Sequence, residues 1–179
     1  DSLTYLLLDP ESGTAKADER AVLKLENGTC QIDDHMFDHD ALVFDNQITK
    51  AGIALPDGTP YVELRCVGFP NFGIWSASQD APFVCLEPWM GRCDDCGFAE
   101  ELSQKPFINH LKMDEMFETA YTIEVFKIPF LQTSGFSLNT LSHITIKSYH
   151  HCCACKHKHH SILMISLCQQ CLPTLKASG

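Results

Sequence analysis

The sequence predicts an all-β fold, and three observations carry that reading. Short apolar runs recur at regular spacing, polar or Gly-containing turns separate them, and helical periodicity is weak throughout. Thr4–Leu8 and Ala21–Leu25 are the first strand candidates, followed by the apolar runs Ala41–Phe44 and Ile48–Leu55. Pro56-Asp57-Gly58-Thr59 is a turn, because Gly takes the positive φ that a tight hairpin requires. In Tyr61–Val67 the residues Val62, Leu64 and Cys66 alternate with Tyr61, Glu63 and Arg65, the pattern of a half-buried strand. Phe72–Ala77 and Phe83–Glu87 come next, divided by the Ser78-Gln79-Asp80 turn. Glu115–Phe126 closes the series, with Phe117, Thr119, Tyr121, Ile123 and Val125 on one face. The only helical character is a turn near Asp33–Met36 and another near Ala99–Ser103. A β-sandwich or barrel follows.

Composition narrows the function classes. At 179 residues, 45% hydrophobic and 20% charged, the chain has the make-up of a soluble globular protein. A net charge of −10 argues against a nucleic-acid-binding surface. No run approaches the ~20 apolar residues of a membrane-spanning helix. The first residues, Asp1-Ser2-Leu3-Thr4, do not form a signal peptide and lack Met, which suggests the continuation of something longer. A cytoplasmic, reducing location is expected for the ten cysteines, and Cys66 and Cys85, in apolar runs, read as small buried thiols.

Charge divides the chain near residue 126. Residues 1–126 hold all 23 acidic residues and 8 of the 13 basic ones, net −15. Residues 127–179 hold five Lys and no carboxylate, net +5. The expected organisation is therefore a β domain over 1–126 and an irregular Cys/His-rich tail over 127–179. Within the tail, His150-His151-Cys152-Cys153-Ala154-Cys155 and Cys168-Gln169-Gln170-Cys171 hold residues of the kinds that ligate zinc. Regular ligand spacing is missing there, so no metal site is assigned. A read-through, frameshifted or mispredicted extension is the favoured reading, with adventitious metal binding as the other.

The stretch Pro82-Phe83-Val84-Cys85-Leu86-Glu87-Pro88-Trp89 carries the most chemistry. Read as a strand ending at Glu87, it delivers a carboxylate beside an indole, and a partly desolvated Glu has the raised pKa that acid–base work needs. A solvated strand-end Glu87 with Trp89 in the core is the bland alternative.

Five segments in order resemble the aldose 1-epimerases (galactose mutarotase-like proteins), in particular their LacX-like branch. These are Phe37–Phe44, with the pattern F-x-x-D-A-L-V-F, then Phe69-Pro70-Asn71-Phe72-Gly73-Ile74-Trp75-Ser76, Ala81–Trp89, Gly91-Arg92-Cys93-Asp94, and Phe117–Ile123. The resemblance covers roughly Thr4 to Phe126 and corresponds to the C-terminal half of a family member. It implies a β-supersandwich, here incomplete, with a sugar site on its concave face. It also implies interconversion of α and β anomers of a free hexose, with no metal or organic cofactor. In that scheme Glu87 is the general base, Asp40 binds sugar hydroxyls, and Trp89, with Trp75, offers an apolar face to a pyranose. The family's catalytic His residues and sugar-binding Arg belong to its other half, and none of the nine His here stands in an equivalent motif. His35 and His39 lie near Asp40 but read as solvated loop residues. The alternatives are a catalytically incomplete carbohydrate-binding remnant and a zinc-binding protein organised by the tail.

Overall fold

Ten strands occur among the described residues of a computed structural model, which describes residues 1–77, 81 and 83–126 in full and 143–151 and 163–166 as backbone. In chain order they are β1 (Ser2–Leu8), β2 (Ala15–Lys24), β3 (Leu42–Asp45), β4 (Lys50–Ala54), β5 (Pro60–Arg65), β6 (Asn71–Trp75), β7 (Phe83–Trp89), β8 (Met116–Val125), β9 (His143–His151) and β10 (Leu163–Ser166). Among the described residues the only helical element is a single 3-10 turn at Leu102–Gln104. The chain is all-β with two antiparallel sheets, which agrees with the class expected from its sequence.

The strands fall into two compact units that interleave along the sequence. Asp1–Ile48, Phe69–His110 and β10 form one; Thr49–Gly68, residues 111–126 and β9 form the other. The first holds a six-stranded sheet in the order β10-β7-β6-β3-β1-β2, the second a four-stranded sheet in the order β4-β5-β8-β9. Two strands thus lie within the stretch beyond residue 126, and the rest of that stretch is outside the described residues.

In the six-stranded sheet, β1 turns into β2 at Asp9. Its Oδ1 accepts from the Ser12 and Glu11 backbone N–H groups at 2.9 and 3.1 Å and from Ser12 Oγ at 2.8 Å. These donations hold the Asp9 carboxyl below its ordinary pKa. A bulge then shifts the register, so Leu6 faces Arg20 but Leu7 faces Lys16. β2 starts earlier than the expected Ala21–Leu25 because Ala15, Lys16 and Arg20 also pair with β1, on either side of the bulge formed by Ala17, Asp18 and Glu19. The charge along this stretch is typical of an edge strand, which has a free row of backbone groups to protect from association. The core of this unit is built on Leu6, Val43, Phe44 and Phe72, each nearly sealed from solvent.

The four-stranded sheet follows its sequence pattern closely. Val62, Leu64 and Cys66 are buried, while Tyr61, Glu63 and Arg65 are not. The β4–β5 hairpin closes through Gly58 N–H to Leu55 O and Leu55 N–H to Thr59 O, both 2.8 Å, with Gly58 at φ 84°. Tyr121 and Ile123 are buried on β8 and face the same side as Phe117 and Thr119; Val125 is exposed. Outside, Glu63 pairs with Lys50 at 3.3 Å and Arg65 at 2.7 Å. Exposed ion pairs of this kind stabilise by at most about 1 kcal/mol each.

Phe44→Ala should lower the unfolding free energy by about 3–5 kcal/mol. Val22→Ala, at a position 58% exposed, should change it by less than about 0.5 kcal/mol. Urea denaturation of both variants checks the contrast, and similar losses would mean that Phe44 does not pack as described.

Candidate functional site

Strand alternation puts Cys85, Glu87 and Trp89 on one face of β7. The strand does not end at Glu87, as the sequence suggested, but runs through Pro88 to Trp89. Proline is tolerated because β10 pairs with β7 only over Phe83–Leu86, so Pro88 lies past that ladder. Glu87 is therefore inside a strand and 7% exposed. The residue opposite it on β6 is Gly73.

Glu87 is held by its own strand. Trp89 Nε1 donates to Glu87 Oε2 at 3.1 Å, and the Cys85 thiol donates to the same carboxylate. The Trp89 indole lies over Gly73: a Cβ on that glycine would come within 2.6 Å of the ring's Cζ2 and 2.7 Å of its Cη2. The ring also packs against the cluster of Leu6, Ala15 and Val43. Burial raises the Glu87 pKa above its ordinary value, and the donations from Trp89 and Cys85 oppose part of that rise. Burial likewise pushes the Cys85 thiol up to about 11, with the neighbouring carboxylate adding to the shift.

A row of polar residues crosses the same sheet beside this group. Asn71 stands opposite Asp45 on one side and Trp89 on the other. Its Nδ2 donates to Asp45 Oδ1 at 2.8 Å. Arg92, 6% exposed, reaches Asp45 Oδ1 through Nε at 3.3 Å and Asp95 Oδ1 through Nη1 at 2.6 Å. Its guanidinium carbon lies 5.5 Å from the centre of the Phe107 ring. Arg20 closes on Asp45 Oδ2 at 3.3 Å. Asn71 Oδ1 and Arg92 Nε are the buried side-chain atoms, among the described residues, without a hydrogen-bond partner. For Arg92 Nε the ion-pair distance is met but the alignment for a hydrogen bond is not.

Asp40 stands two residues ahead of β3, exposed, at φ 75°. Its Oδ1 accepts from Ala41 N–H at 2.7 Å. The strand it precedes, β3, is separated from β7 by β6, and no hydrogen bond joins Asp40 to Glu87. His35, in the preceding turn, pairs with Asp38 at 2.9 Å, and the hydrogen bond to Asp38 raises its pKa. Trp75 is half-buried and tilted on Phe83, ring centres 6.1 Å apart. The Cys93–Cys96 loop is tied to β2 by Ala15 N–H to Asp94 O and Cys96 N–H to Ala15 O, both 2.8 Å. No group of three or more metal-ligating side chains occurs among the described residues, and the side chains of the Cys/His tail lie outside them. Among the described residues no helix is long and apolar enough to cross a membrane.

Two curated proteins of Lactococcus lactis subsp. lactis resemble the chain. The chromosomal LacX protein is 26% identical over 118 residues, 65% of this chain and 39% of the relative. The plasmid LacX protein is 25% identical over the same shares. Over these residues the chain is similar to the LacX proteins. It spans about two-fifths of the length of these relatives. No protein-family model matches it, and no solved structure does. Of the five segments singled out from the sequence, the first four occupy adjacent strands β3, β6 and β7 and the loops beside them; the fifth is on β8 in the other unit.

Sequence reasoning missed Gly73, Asn71, Asp45 and Arg92 as site residues. The signal for Gly73 was present: a glycine inside a strand pattern marks a close approach by another group.

Two measurements test this geometry. The folded-state pKa of Glu87 lies above its ordinary 4.5, so the neutral carboxyl contributes stability that is complete below pH 4.5 and is lost as pH rises through the folded value. Glu87→Gln carries no such proton. Its urea midpoint relative to the parent should therefore climb from pH 4.5 upward and level off once the parent carboxyl ionises; a gap independent of pH would contradict a raised pKa. In alkylation followed by peptide mass spectrometry, Cys66 and Cys85, buried and with pKa pushed to about 11, should stay unmodified in the native chain while exposed Cys96 reacts.

Proposed function

We propose that the chain carries the base-bearing part of an aldose 1-epimerase-like isomerase, acting on a free hexose. The observation that carries this reading is the Glu87 carboxyl: buried, raised in pKa, and held by Trp89 and Cys85 on the strands where the LacX-like segments converge. A carboxyl so placed exchanges a proton closer to neutral pH than a solvated one, which suits a group that must act as base in one direction and acid in the other.

In the proposed reaction Glu87 removes the proton of the anomeric hydroxyl while an acid protonates the ring oxygen. The bond from the anomeric carbon to the ring oxygen breaks as the carbonyl forms. Rotation about the adjacent carbon–carbon bond then turns the aldehyde over. Re-closure reverses both proton transfers and yields the other anomer, so atoms and charge balance with no net oxidation. Asp40 binds a sugar hydroxyl, and Trp89 supplies the apolar wall beside the carboxylate. The same reading needs no cofactor, and it places the chain in the cytoplasm, a reducing compartment suited to thiols such as Cys66 and Cys85.

A second reading is carbohydrate binding without turnover. It is favoured by the position of His35, which sits 84% exposed in an ion pair with Asp38 and so offers no imidazolium to Glu87.

Polarimetry of freshly dissolved α-glucose or α-galactose separates the two. The isomerase reading expects mutarotation faster than buffer, and a loss of about 10²–10⁴-fold in Glu87→Gln. Sugar binding with mutarotation at the buffer rate would establish the binding module instead. Acceleration unchanged in Glu87→Gln would remove Glu87 as the base.

A further inference from the structure

The Glu87 environment contains a residue whose identity neither the strand nor the turn chemistry explains. Gly73 sits in the middle of β6, paired with Val43 on one side and Glu87 on the other. It is not among the positive-φ glycines of the chain, so backbone conformation does not call for glycine there. Glycine inside a strand weakens it, through greater entropy loss and a missing side chain. What Gly73 provides is space. The Trp89 ring occupies the volume that a Cβ would take, with Cζ2, Cη2 and Cε2 at 2.6, 2.7 and 3.2 Å from the position of that atom. Any larger residue displaces the indole, and with it the N–H that reaches Glu87.

We propose that Gly73 and Trp89 are positioning residues for Glu87: the bare backbone of β6 admits the indole, and the indole N–H, together with the Cys85 thiol, holds the carboxylate in one orientation. Three facts converge on this. Cys85, Glu87 and Trp89 alternate along one strand, so the two donors flank the carboxylate from both directions. The indole is packed on Leu6, Ala15 and Val43 as well as on Gly73, so its N–H is fixed rather than sampled. Glu87 is too buried to be oriented mainly by solvent. The inference rests on the proposed function only in taking Glu87 as the base; the positioning itself is a property of the sugar-free chain.

The test is a titration of the full 179-residue chain without sugar, with glutamate labelled at its carboxyl carbon and read by NMR. The Glu87 signal is assigned by its loss in Glu87→Gln. The Trp89 indole N–H resonance of the parent should move with the same midpoint as the Glu87 carboxyl carbon. Trp89→Phe keeps an aromatic ring without the donor, and Gly73→Ala displaces the ring. Each should raise the Glu87 midpoint further, by about one pH unit for a lost charge-assisted hydrogen bond. Cys85→Ala should raise it less, because a thiol is a weak donor, and Cys85→Ser should not. Midpoints unchanged in Trp89→Phe and Gly73→Ala would overturn the proposal. If either variant fails to fold, the parent alone decides it, since an indole resonance indifferent to Glu87 titration overturns it equally. Intact coupling in a chain that does not accelerate mutarotation would leave the positioning in place and remove the isomerase reading.

Discussion

The hydrogen bond from Trp89 Nε1 to Glu87 Oε2 depends on a glycine in the neighbouring strand, and the geometry around Glu87 follows from it. Burying a carboxylate is unfavourable unless donors replace the water it loses. β7 supplies those donors from its own alternate positions, Cys85 before and Trp89 after. An indole is too large to lie flat beside an ordinary strand residue, so β6 leaves the facing position bare at Gly73. The cost to β6 of an interior glycine is offset by the burial of the ring against Leu6, Ala15 and Val43. Packing and electrostatics are thus one arrangement: the ring that completes the core also carries the donor.

The polar row next to it has a different logic. Asp45, Asn71 and Arg92 come from the end of β3, the start of β6 and the loop after β7. Ion pairs with little exposure gain little net stability, because desolvation cancels much of the attraction, but breaking one leaves a charge stranded. Asp45 escapes that outcome by receiving Asn71 Nδ2 and facing two guanidinium groups, from Arg20 and Arg92. The arrangement pins three separate chain segments to a single carboxylate. It therefore fixes the register of β3 against β6, and of β6 against β7, at the end of the sheet nearest Trp89. Asn71 is the link, since Asp45 and Trp89 flank it in the ladder.

Much of this was legible in sequence where side chains alternate between two environments. β5 reads directly because Val62, Leu64 and Cys66 go inward, and the Asp57-Gly58 turn states its own conformation. β2 did not read over Lys16–Arg20, because an edge strand held by backbone pairing and interrupted by a bulge has no apolar alternation to display. Glu87 was visible as a carboxylate ending an apolar run, yet its strand was read two residues short: Pro88 looks like a stop when the missing ladder beyond Leu86 is unknown. Partners were least legible. Nothing local ties Asp45 to Arg92 or Gly73 to Trp89; each pairing exists only once non-adjacent segments lie in the same sheet. Asp40 was legible as a candidate but not in its conformation, a positive-φ residue whose carboxylate turns back on the Ala41 N–H.

These features together bear on how Glu87 would serve as the base of the proposed reaction. Burial alone would drive its pKa upward and favour the neutral carboxyl, a good acid but a poor base. Donation alone would hold it ionised and too weak to take a proton from a hydroxyl. The two oppose each other here, burial raising and the Trp89 and Cys85 donors lowering. Such a balance suits the proposed reversible proton exchange with a sugar hydroxyl, in which the same group would give the proton back when the ring closes. The balance is tuned through the placement of an uncharged ring, not through a neighbouring charge, so it is set by space at Gly73 and should be insensitive to salt, unlike a carboxylate tuned by an exposed ion pair.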